Sequence, residues 1–222
     1  MRGARPTARP KRVRLDNDAR RTQLLELAKH AFSDRAYDDV SIDDLAKVAK
    51  ISKGLLYHYF PTKRDLYVAG LTEIADELVE AVLRVPDSLV APLDRVRAGL
   101  DAYLDHITRH SRAFVALMRG GIGSDPEVAA VIEGVRTRLF DKFLVGSPFA
   151  SLVISDARFQ LAVRGWIGFV EAASIDWCAN PRISRLELRE LVVDVLFNVM
   201  RTVAPGVPGV PGVSDVPRVP DP

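Results

Sequence analysis

Apolar residues recur at three- and four-residue spacing along most of residues 15 to 203, and no pair of alternating β-branched segments is joined by a hairpin turn. This pattern predicts an all-α chain. A first helix is expected from about Asn17 to Ser33, with Leu24, Leu27, Ala28, Ala31 and Phe32 on one face. In VSIDDLAKVAK, Ser41 precedes a short helix and Asp44 follows three residues later, close to a capping box, so Ile42, Leu45 and Val48 are expected inward. Ser52 caps a third helix, Pro61 ends it, and Thr62 caps the next. The two short helices flank the turn Ala49-Lys50-Ile51-Ser52 and rest on the first, giving a helix-turn-helix module over residues 15–61.

The third helix carries Tyr57, His58, Tyr59 and Phe60 in direct succession. Successive helical side chains step about 100° around the axis, so the four rings cannot all enter one core. With Leu56 and Phe60 as inward anchors, Lys53, Gly54, Tyr57 and His58 point outward near the helix N-terminus. A recognition helix reads base edges with those positions. Lys53 can donate to guanine O6 and N7, Gly54 lets the backbone approach the groove, and the tyrosine hydroxyls and Lys63 suit flanking phosphates. The partner predicted is double-stranded DNA.

The helix opening at Thr62 carries Leu66, Leu71, Ile74, Leu78 and Val82, and so runs as a lever into the region expected at residues 62–203. Further helices are predicted at Leu93–His110, Arg112–Met118, Pro126–Val145, Ala157–Ala179 and Ser184–Val203. They suit a helical bundle for ligand binding and dimerisation. Its candidate ligand walls are Tyr103, Phe114, Met118, Phe140, Phe143, Trp166 and Phe169, with His106 or Glu171 as polar anchors; the same spacing also describes plain core. The last two helices carry more apolar face than one bundle can bury. Leu161, Gly165, Gly168, Ala172 and Ile175 form a smooth strip opposite a face of Ala162, Trp166, Phe169 and Ala173. With Leu188, Leu191, Val192, Val195 and Val199, that strip is expected to build a homodimer interface.

Charge sharpens this division. Residues 1–70 hold 15 Lys/Arg against 9 Asp/Glu, and residues 71–222 hold 16 against 20, so a net charge of +2 conceals a basic front and an acidic remainder. Residues 1–14 contain no acid and read as a disordered basic arm; residues 204–222 repeat Pro-Gly-Val and read as a disordered tail. No run of about 18 apolar residues and no signal-like start is present, so a cytoplasmic protein without membrane contact is expected. Cys178 is the single cysteine and allows no intrachain disulfide. His106 and His110 have metal-ligand spacing, but HITRH lacks the zinc-protease glutamate, so neither metal, cofactor nor catalytic residue is predicted.

VSIDDLAKVAKISKGLLYHYFPTKRDLY resembles the signature of the TetR family of bacterial transcriptional regulators. The resemblance spans about residues 18 to 70. It implies a homodimeric repressor that binds a palindromic operator and releases it on taking up a small lipophilic effector. Ser41, Ser52, Lys53, Gly54, Tyr57, His58, Tyr59 and Lys63 match the positions that touch DNA in relatives. One departure is Lys50, where the family turn often has glycine; the turn is expected to give this lysine a positive φ. A sequence-tolerant architectural DNA-binding protein would need only the basic arm, and an all-α enzyme would use the pocket; both are rival readings.

Overall fold

A computed structural model describes residues 17–84, 92–119, 121–144 and 156–204. The basic arm, the tail beyond Ala204 and the Phe143 side chain lie outside the described residues. Within them the protein has nine α-helices and no strand. These are α1 (Asn17–Asp34), α2 (Ile42–Val48), α3 (Lys53–Tyr59), α4 (Lys63–Leu83) and α5 (Pro92–Arg109), then α6 (Ser111–Arg119), α7 (Pro126–Leu144), α8 (Ala157–Ala179) and α9 (Arg185–Val203).

The helix starts follow from short polar side chains that satisfy orphan amides. Ser41 accepts from the Asp44 amide at 3.3 Å and Ser52 from that of Leu55 at 3.1 Å. Thr62 with Asp65, and Ser184 with Glu187, form complete capping boxes. Between α2 and α3 the chain reverses through Lys50, whose φ of 55° is left-handed, as the departure from glycine predicts.

Two apolar cores result. The first joins Leu24, Ala28 and Phe32 of α1 to Leu45 of α2, Leu56 and Phe60 at α3, and Leu66, Tyr67 and Leu71 of α4. Val48 is not part of it: it is 66% exposed, while Ala46 and Ala49 are buried. Its position six residues after Ile42 lies far around the axis from the stripe Ile42, Leu45, Ala46, Ala49, which keeps helical spacing. Gly70 brings α4 against α1, since a Cβ there would come within 3.4 Å of the Ala28 backbone. The second core gathers α5, α8 and α9 around Leu104, Phe159, Val163, Leu196 and Met200, and Leu78 and Val82 of α4 pack against it. Ala204, assigned above to the tail, is buried here and caps α9.

The start of α7 enters the first core. Val128 is fully buried there, and Val131 and Ile132 pack alongside. Asp125 caps that end through the Glu127 and Val128 amides and grips Arg64 of α4 with two hydrogen bonds of 2.6 Å. Farther along, Arg136 makes a forked pair with Glu171 of α8 at 2.8 and 2.7 Å, and Phe140 reaches the second core. Helices α4 and α7 therefore span both cores, and the short α6 also touches both, Leu117 packing on the first and Phe114 on the second.

Candidate nucleic-acid interface

The site is built on α3. Leu56 and Phe60 are 1% and 3% exposed and fix its inward side. Ser52, Lys53, Gly54 and His58 are exposed, and Tyr57 and Tyr59 are half-buried against the first core. Among the described residues a Cβ on Gly54 would meet only Ser52 Oγ, at 4.0 Å, so this exposed position leaves the helix backbone open to close approach from outside.

Several predicted contacts have internal partners. The Ser41 and Ser52 hydroxyls serve as caps. Tyr59 Oη donates to Asn17 Oδ1 at 2.7 Å, tying α3 to the start of α1. Lys63 Nζ lies 4.5 Å from the centre of the Tyr37 ring and 3.4 Å from the Asp38 carbonyl oxygen. Lys53 donates to Asp43 at 3.0 Å, and this hydrogen bond is the main reason its pKa is raised. Sequence reasoning overlooked Asp43, and only spatial proximity across the turn reveals it. The exposed Lys50 adds another positive charge at the turn.

In the bundle, most of the candidate ligand walls lie in or against the second core. Tyr103, His106 and Trp166 are buried, and Phe114, Phe140 and Phe169 pack half-buried on the same core. Met118 is half-buried on α6. Trp166 Nε1 donates to the Val192 carbonyl at 3.0 Å, and the Glu171 carboxylate is paired with Arg136. The Tyr103 hydroxyl and Ser174 Oγ are buried without a hydrogen bond that meets full geometry. Burial raises the Tyr103 pKa, with the Ser174 hydroxyl opposing. His106 and His110 lie with ring centres 4.9 Å apart, and burial drops the His106 pKa to about 4. Among the described residues no three His, Cys, Asp or Glu side chains gather as a metal site, and no helix is long and apolar enough to cross a membrane.

The expected interface strip is divided by the structure. Leu161 is 74% exposed, Gly165, Gly168 and Ala172 are exposed, and Ile175 is half-buried. On α9, Leu191 is exposed and Val195 and Val199 are half-buried. Leu188 and Val192 are a correction: each is 2% exposed within a single chain, on the inward stripe Leu188, Val192, Leu196, Met200. Their side chains have no surface left to offer a partner.

Known proteins carry the same architecture. Residues 24–69 match the model of bacterial regulatory proteins of the tetR family, and residues 92–199 match the tetracyclin repressor-like C-terminal domain. The HTH-type transcriptional activator FasR of Mycolicibacterium smegmatis is 34% identical over 120 residues, 54% of this chain and 55% of FasR. The HTH-type transcriptional repressor KstR2 of Mycobacterium tuberculosis is 32% identical over 93 residues, 42% of this chain and 46% of KstR2. The chain thus spans about half the length of these curated relatives. Coverage is greater for the crystal structure of a tetR-family transcriptional regulator from Streptomyces coelicolor. It is 33% identical with a TM-score of 0.76, over 86% of this chain and 84% of that one. With both family models and this match in agreement, the chain belongs to the TetR family of bacterial transcriptional regulators.

Proposed function

We propose that two copies of the chain bind a near-palindromic operator, one α3 in each of two major grooves, and that a small, mainly apolar effector within the bundle releases the DNA. The protein then acts as a cytoplasmic homodimeric repressor. Residues 15–61 bind DNA, residues 62–203 bind effector and dimerise, and the arm at 1–14 adds phosphate contacts. The carrying observation is α3 itself: capped by Ser52 and anchored by Leu56 and Phe60, it leaves Lys53, Gly54 and His58 exposed. Support for release comes from α4 and α7, which join the cores, so a change in bundle packing moves one α3 relative to its copy. FasR is named an activator and KstR2 a repressor. Repression is proposed because spreading the two recognition helices most simply costs DNA affinity.

Lys53→Ala should cost about 1–3 kcal/mol on the operator and far less on unrelated duplex. Lys63→Ala should weaken binding to all sequences alike and flatten the salt dependence. Titrations from low to high salt in which neither variant differs from wild type would remove α3 as the reading helix. Mass spectrometry of denatured protein then identifies any effector that co-purifies.

A further inference from the structure

The lysine expected to read a base is already held. Its Nζ donates to Asp43 Oδ2 at 3.0 Å, joining the first residue of α3 to the first turn of α2. The two side chains remain 48% and 60% exposed, so the pair is open to an approaching duplex. A carboxylate here opposes binding, because affinity for DNA comes largely from neutralising phosphates. Nor does the fold require it. Ser41 supplies the side-chain cap of α2, and Asp44 beside it also places an acid in the first turn, where it pairs with Lys47 at 3.2 Å.

A lysine ammonium has three N–H donors, and guanine O6 and N7 accept two. The third can stay on Asp43. We infer that Asp43 is a specificity-determining positioning residue, which holds the Lys53 ammonium at the base edge and keeps it from the phosphates. This rests on Lys53 as the base reader. On unrelated duplex the pair stays closed and electrically neutral, so Lys53 adds nothing to phosphate neutralisation. Without Asp43, its long flexible stem delivers the charge to whichever phosphate is near.

The test uses the full chain, a duplex selected by the wild-type protein from random sequence, and a scrambled duplex of equal length and composition. Binding is titrated from 50 to 200 mM salt. One added phosphate contact changes affinity about threefold across that range. Asp43→Asn, which frees Lys53 and removes a repelling charge, is therefore expected to raise scrambled-duplex affinity about three- to tenfold. The salt slope on that duplex should steepen by about one, and affinity for the selected duplex should change less, so the ratio between the two falls. Asp44→Asn removes the same charge one residue away and should leave the ratio intact; Asp43→Glu should restore much of it. If Asp43→Asn and Asp44→Asn shift both duplexes equally, or Asp43→Asn behaves as wild type, the inference is overturned. Lys53→Ala separates the two levels. Unchanged selected-duplex affinity in that variant removes the base reader itself, whereas a fallen ratio there beside an unchanged one in Asp43→Asn removes only the role of Asp43.

Discussion

Lys50 and His106 each hold a state that their residue type disfavours, and each yields a measurement. A φ of 55° costs a lysine about 1 kcal/mol relative to glycine. Lys50→Gly should therefore raise the thermal midpoint by a few degrees; a lowered midpoint would show that the side chain contributes more than the backbone loses. Burial holds the folded-state pKa of His106 at about 4, below its ordinary 6.5, with His110 and Arg109 disfavouring its charge further and Glu77 opposing. As pH falls below 6.5 the unfolded chain takes up the proton that the folded one refuses, so stability declines until about pH 4. The loss attributable to His106 is about 3 kcal/mol, and His106→Leu should flatten the decline in urea titrations between those limits. The strain at Lys50 was legible in the sequence, because a turn of fixed length placed a side chain where glycine is usual. The burial of His106 was not: a lone i,i+4 histidine pair looks alike on a wet and a dry face.

Among the elements, the run of α4 from one core into the other was legible because its apolar positions continue from Leu66 to Val82. The role of α7 was hidden, since its seat in the first core rests on Val128 and on a pair, Arg64 with Asp125, that lies 61 residues apart in the chain. Arg64 draws the Asp125 pKa down to about 2, so this contact is intact above the ordinary carboxylate range and is lost as pH falls through about 2. Asp125→Asn should loosen the first turn of α7 and weaken the effect of bundle packing on α3. Hydrogen exchange at the amides of residues 127–130 reports this directly: faster exchange is expected, and unchanged protection would mean that Val128 alone secures the end. The displaced Val48 is the opposite lesson. Its hydrophobicity suggested burial, but the alanine pair beside it had the correct helical phase.

At the scale of the whole molecule, the exposed strip on α8 and α9 is where the proposed homodimer meets. Leu161→Arg or Leu191→Arg should yield folded monomers in sedimentation, because both residues are exposed in the single chain. Leu188→Arg should instead unfold the protein. Dimers that survive both surface changes would place the interface elsewhere. The apolar strip on these two helices was legible in the sequence, but the division of α9 between inner and outer faces was not. Nearly all sides of that helix are apolar, so periodicity gave no phase and only packing against α5 and α8 decided it. The fold and the recognition helix were far more legible, because caps, turn spacing and the Leu56–Phe60 anchors are local. In the proposed complex, two copies of α3 read one duplex about a two-fold axis. Selection of bound duplexes from a random pool by the wild-type protein, followed by sequencing, tests it most directly. The predicted result is a near-palindrome whose half-sites lie about one helical turn, or a multiple of it, apart; recovery of no shared motif, or of a single unpaired half-site, would contradict it.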